Sequence, residues 1–185
     1  APPMAATANQ GPFDDRDGTI WIGTRAGISL MVKQRQCMRV LPSIAGTPVS
    51  ALLALPGDAL AIGTFGAGLW ISDSLGGGVS GMRRMAIDGN GMRPVASSAV
   101  DVLARDRYGG SRTVIGNCLG TLDPLHARIH LDDKLLQALP EVVKERITFV
   151  EEDRHRRLWI GTWDHGILRC DLDGSHMERL GTMRH

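Results

Sequence analysis

Four isoleucine-glycine steps set the terms for this chain. Ile22-Gly23, Ile62-Gly63, Ile115-Gly116 and Ile160-Gly161 place their glycines 40, 53 and 45 residues apart. Each step lies inside the same longer pattern: a short apolar run, a turn rich in Asp and Gly, a second β-rich run ending at the glycine, another turn, and a third run. The fourth copy is the clearest, with Ile147 to Asp153, a turn over Arg154 to Arg157, Leu158-Trp159-Ile160-Gly161-Thr162, and then Gly166-Ile167-Leu168-Arg169. The first runs Asp14-Asp15-Arg16-Asp17-Gly18-Thr19 into Ile20-Trp21-Ile22-Gly23-Thr24 and on to Gly27-Ile28-Ser29-Leu30. The second replaces the tryptophan with Ala61, and the third has Val114 there and Asn117 in place of threonine.

Short alternating runs joined by tight Asp/Gly turns are antiparallel strands in a meander. A period of roughly 40–50 residues belongs to β-propeller blades. The expected fold is therefore all-β, with blades of four antiparallel strands forming a partial propeller. The expected divisions are an N-terminal extension or partial strand over 1–13, an incomplete blade 1 over 14–47, blade 2 over 48–98, a degenerate blade 3 over 99–140, and blade 4 over 141–185. Leu75 to Gly81 and Asp88 to Gly91 read as a glycine-rich hairpin tip or loop late in blade 2. No strand-Gly-x-Gly-x-x-Gly-helix context accompanies them, so a phosphate-cradling role does not follow. The stretch 131–146 predicts a turn or two of helix around Lys134 to Leu139, stopped by Pro140 and linking one blade to the next.

The string Ala138-Leu139-Pro140, then Ile147 to Asp153, then Leu158-Trp159-Ile160-Gly161-Thr162 and Gly166-Ile167 resembles the two-component-regulator propeller repeat. The resemblance runs from about Asp14 to Asp173. It implies a periplasmic or extracytoplasmic sensor domain of a membrane-anchored bacterial signalling protein, feeding a histidine kinase or diguanylate cyclase elsewhere in the full-length protein. Physically, the motif is first a packing device: Trp21 and Trp159 are expected between blades, with a neighbouring glycine permitting close approach.

Bulk properties narrow the partners. With 185 residues, 43% of them hydrophobic, the chain is long enough for a real core. Charged residues make up 22% and cancel to +1, and no basic stretch is denser than Asp153 to Arg157, so a nucleic-acid partner is not expected. The apolar runs are far shorter than the roughly 20 residues of a membrane-spanning helix. Cys37, Cys118 and Cys170 form no CxxC pair, and three separately buried thiols are expected rather than a disulfide framework.

Four blades fall short of a closed ring of this family, and directly before Asp14, where an inner strand is expected, stand only Gln10-Gly11-Pro12-Phe13. An open stack leaves a bare blade face at each end. If each face has roughly 400–600 Å² of apolar area, leaving it wet forfeits about 10–15 kcal/mol. The expectation is a fragment of a longer propeller, or a homo-oligomer whose copies cover one another's ends.

In a four-stranded blade, the connection between second and third strands shares a face with the connection between blades. The matching ligand- or partner-binding candidates are Arg25 in the first blade, Phe65 in the second, Asn117 in the third, and Trp163, Asp164 and His165 in the fourth; Ala26, Gly66, Ala67, Cys118 and Leu119 sit beside them. Cation, aromatic and polar groups together suit an unknown small molecule, a glycan or a protein signal. The alternative is a propeller lyase or hydrolase with a central-channel site. It would draw on Asp101 and Glu151, the ionisable groups of the inner strands, neither with a His or Cys companion at useful spacing. His126 and His130 would meet on a helical face, but the residues between them are strand-like or irregular. No catalytic residue, metal or cofactor is assigned, and the segment itself is expected to be non-enzymatic.

Overall fold

The computed structural model describes residues 12–14, 19–32, 37–40, 44, 46–72, 81–88, 99–106, 108–116, 118–139, 147–163 and 165–181. They form four sheets. The first orders β1 (Phe13–Asp14), β2 (Thr19–Thr24), β3 (Gly27–Val32) and β4 (Cys37–Val40) side by side. The second does the same with β5 (Val49–Ala54), β6 (Leu60–Thr64), β7 (Leu69–Ser72) and β8 (Met82–Arg84). The fourth repeats it with β14 (Ile147–Glu152), β15 (Arg157–Thr162), β16 (Ile167–Asp171) and β17 (Glu178–Leu180). These are the antiparallel meanders that the repeat predicts.

The third sheet departs from the plan. Strands β10 (Val100–Arg105), β11 (Ser111–Ile115), β12 (Cys118–Asp123) and β13 (Arg128–Leu131) gain a fifth, β9 (Ala86–Asp88), paired parallel to β13. Residues 86–88 fall within the 48–98 stretch read as blade 2. They join the third sheet instead, along the outer edge of β13, where the Ala86 N–H donates to the Ala127 carbonyl. Asp88 then meets both Arg128 and His130. The glycine-rich stretch expected near 75–81 and 88–91 lies, apart from Gly81 and Asp88, outside the described residues.

The chain divides into two compact units, one of residues 1–85 with 98–100 and one of 86–97 with 101–185. In the first, Trp21, Ile28, Leu30, Val49, Leu60 and Ile62 form one buried cluster. In the second, Val102, Val114, Leu135, Ile147, Leu158 and Ile160 belong to another. Helix α1 (Asp133–Ala138) lies between β13 and β14 where a short helix was expected. Asp132 caps it by accepting from the Leu135 N–H, and Leu135 is buried.

The acid that opens the first turn of a blade acts through its side chain. Asp106 Oδ1 accepts from the N–H groups of Tyr108 and Gly110 at 2.9 and 2.7 Å. Asp153 Oδ1 accepts from those of His155 and Arg157, while its Oδ2 takes the Trp159 indole N–H at 3.0 Å and the Arg157 guanidinium. An aspartate that satisfies turn donors in this way fixes the hairpin without needing a particular loop sequence.

The two tryptophans part company. Trp21 is 1% exposed, as expected of a core residue. Trp159 is only half-buried. Its strand neighbours are Glu151 and Arg169, and the Arg169 guanidinium lies over its ring at 5.6 Å, so the indole is roofed by a cation rather than enclosed by apolar side chains. Cys118 and Cys170 are buried and free, and burial, helped by Asp171 and Asp173, pushes the Cys170 thiol up to about 11. The Cys37 side chain lies outside the described residues.

Candidate functional site

Three of the four turns between second and third strands share one construction, and the threonine of the repeat makes it. Thr24 Oγ1 donates to the Gly27 carbonyl at 2.9 Å and accepts from the Ala26 N–H at 3.1 Å. Thr64 Oγ1 donates to the Gly68 carbonyl at 2.6 Å and accepts from the Ala67 N–H at 3.1 Å. Thr162 Oγ1 donates to the Gly166 carbonyl at 2.8 Å and accepts from the His165 N–H at 3.0 Å. One hydroxyl thus staples both sides of each turn. The residues between the staples need not pack to hold their shape, which leaves them available to present side chains.

In the first unit two such turns flank one connecting segment. The Ala26 carbonyl accepts from the Gly46 N–H, and the Phe65 N–H donates to the Pro48 carbonyl, each at 2.9 Å. Arg25 is exposed on the first turn and Phe65 is 47% exposed on the second. The placement expected for both, beside the link between blades, is what the hydrogen bonds give. The Trp70 indole N–H further holds the Ala67 carbonyl at 3.1 Å.

In the second unit Trp163 is 68% exposed on its stapled turn. His165 beside it is half-buried, its carbonyl accepting from Arg179 Nε at 3.0 Å. Arg179, a residue that the repeat does not single out, therefore braces the loop from β17. Asp164 and Asn117 lie outside the described residues. Cys118 and Leu119, grouped with the third blade's loop from sequence, are instead buried in β12. The reason is register: Ile115 pairs with Cys118, whereas the corresponding Ile22 of blade 1 pairs with Ser29 and Thr24 with Gly27, so β12 begins two residues nearer the glycine of its motif than β3 does. Blade 3 has Asn117 where the other blades carry the stapling threonine.

The other titratable groups are arranged differently. Burial raises the carboxyl pKa of half-buried Asp101 on β10, whereas Glu151 on β14 is exposed. His126 and His130 lie on a turn and a strand rather than on a helix, and both approach Asp123, at 2.7 and 3.9 Å. The His126 hydrogen bond is the main cause holding the Asp123 carboxyl below the ordinary range. Among the described residues no group of three or more His, Cys, Asp or Glu is placed to hold a metal ion, and no helix is long and apolar enough to cross a membrane.

Solved structures share this fold at low identity. The extracellular domain assigned to the hybrid two-component system BT3049 of B. thetaiotaomicron matches with a TM-score of 0.63 and 16% identity, over 92% of this chain and 22% of its own. That assigned to the one-component system BT4673 of the same organism gives 0.62 and 16%, over 92% and 24%. A catalytically inactive virginiamycin B lyase of Staphylococcus aureus, solved with quinupristin, gives 0.63 and 16%, over 97% and 59%. The chain thus spans less than a quarter of the two signalling domains. No family model and no curated protein matches it. The fold is that of propeller blades.

Proposed function

We propose that this chain is a non-catalytic binding module of a bacterial signal-transduction protein. It would recognise an extracytoplasmic small molecule, glycan or protein and pass that event to an output domain elsewhere in the full-length protein. The observation that carries this reading is the stapled turn. Thr24, Thr64 and Thr162 fix three loops whose exposed residues, Arg25, Phe65 and Trp163, are a cation and two aromatics. Large exposed aromatics on a rigid frame give binding area at little entropic cost. The fold shared with extracellular domains of signalling systems supports the same reading, including a location outside the cytoplasm.

The test is a thermal-shift screen of the chain against small metabolites and polysaccharide fragments. A true ligand at 100 times its Kd adds about 2.7 kcal/mol of stability. The reading predicts compounds that raise the unfolding midpoint and lose that effect when Arg25 or Phe65 is replaced by Ala, for a site on the first unit, or when Trp163 is, for a site on the second.

A propeller lyase or hydrolase is the second reading. Asp101, with its pKa raised by burial on the first strand of its sheet, and the fold shared with a lyase favour it. Ligands whose binding is abolished by Asp101→Asn but unaffected by the loop substitutions would move the site to that strand.

A further inference from the structure

The stapled turns of blades 1 and 2 lie in a stretch of sequence with an uneven charge. From Gly18 to Gly57 there is no Asp or Glu, while Arg25, Lys33, Arg35 and Arg39 are all basic. The next acid, Asp58, belongs to the turn that precedes β6, at the end of that strand away from Thr64. The two stapled turns are moored to one connecting segment, at Gly46 and Pro48. Those points are two residues apart, at most about 7 Å of extended chain. Arg25 and Phe65 stand exposed beside them.

A third side chain reaches the same place from the outer strand. Arg84 ends β8, opposite Trp70, and the Met85 N–H after it donates to the Leu69 carbonyl at 2.8 Å. The exposed Arg84 side chain lies along the end of the second turn: a Cβ added to Gly68 would stand 3.1 Å from its Nε and 3.3 Å from its Nη2. Gly68, at φ +80°, thus leaves room for the guanidinium. Arg179 holds the matching register position in blade 4. It lies opposite Leu168, one residue past the strand partner of Gly161, as Trp70 is one past that of Gly63. Arg179 also reaches its stapled turn, through the His165 carbonyl. In blade 1 that position is Val40, opposite Ser29, and the cation is instead Arg25 in the turn itself. Among the described residues neither Arg25 nor Arg84 pairs with a carboxylate, whereas Arg112, Arg128, Arg157 and Arg169 do.

We propose that this end of the first unit binds a small organic anion, its carboxylate or phosphate on the Arg84 and Arg25 guanidinia and its apolar body on the Phe65 ring. The proposal rests on the binding-module reading and adds the chemistry of the ligand. A guanidinium fork matches either anion bidentately. Exposed ion pairs contribute little singly, so the phenyl face must supply contact area, and a bare anion binds weakly. The turn of blade 4 reads Trp163-Asp164-His165 and carries an acid, so the preference for anions belongs to the first unit.

The experiment titrates the full chain with benzoate, phenyl phosphate, benzamide and inorganic phosphate, following the amide signals of Ala26, Phe65 and Gly68 by NMR. At least one of the two ring-bearing anions should shift these signals and bind at least about fivefold tighter than neutral benzamide. Which of the two leads identifies the anion as carboxylate or phosphate. Arg25→Gln and Arg84→Gln should each remove most of that lead and leave benzamide binding unchanged, which also shows that the variants fold. Phe65→Leu should weaken the ring-bearing anions and benzamide together. Benzamide matching both ring-bearing anions, a lead that survives Arg84→Gln, or inorganic phosphate as tight as phenyl phosphate overturns the proposal. Failure of all four probes overturns it as well. The thermal-shift screen with Arg25→Ala and Phe65→Ala then decides separately whether binding at this end of the first unit falls with it.

Discussion

Neighbouring residues of one motif do unrelated work here. Gly63 is short because Val100 needs its space, while Thr64 is buried and ties the following turn. Gly63→Ala forces its new methyl into Val100 and is expected to cost about 1–3 kcal/mol in urea unfolding. Thr64→Val keeps the shape and removes two hydrogen bonds, for a similar loss of about 1–3 kcal/mol. The two differ in a second measurement: Thr64→Val should speed amide exchange at Ala67, and Gly63→Ala should not. The glycine's role was legible in sequence, since a glycine in a strand marks a close approach. The threonine's role was not, because a threonine after a strand glycine reads equally well as an ordinary β-former.

Asp153 adds a pH dependence. The Trp159 indole N–H, then the Arg157 groups, hold its carboxyl well below the ordinary carboxylate range. Its contribution is thus complete above the unfolded value of about 4 and is lost as the pH falls through the lower folded value. Melting temperatures measured from pH 6 to pH 2 should fall less steeply in Asp153→Asn than in the parent chain.

At the scale of elements, the meander was readable because each strand has its own apolar alternation and its own turn residues. Strand β9 was not. Three residues carry no period, and a parallel partner some forty residues later leaves no local signature. Its side-chain attachment is concentrated at Asp88, which meets Arg128 and His130. Asp88→Ala should accelerate exchange of the Ala86 amide, which donates to the Ala127 carbonyl, while β10 to β12 remain protected. Equal acceleration across the sheet would mean that β9 is integral to it. The early start of β12 was hidden for a related reason. Substitution of the blade's threonine by Asn117 showed that the motif had drifted, but only the Ile115–Cys118 register shows that the third strand begins two residues nearer the glycine than in blade 1.

At the scale of the whole molecule, the repeat fixes how blades are made, and a binding function rests on what the stapled turns present. An open blade face of roughly 400–600 Å² would rank with the largest apolar patches a monomer leaves wet. We propose that isolated copies of the chain cover such faces by self-association. Sedimentation at micromolar concentration should give a species heavier than the 20.0 kDa chain. A well-behaved monomer would contradict it.

In the second unit the turn stapled by Thr162 presents Trp163, 68% exposed, as the aromatic on which the proposed recognition rests. The direct measurement is calorimetric titration of the most stabilising compound from the thermal screen into the parent chain and into Trp163→Ala. Binding should be weakened at least about tenfold, a loss of roughly 1.4 kcal/mol, in a variant that still unfolds cooperatively. Undiminished affinity in Trp163→Ala would contradict it.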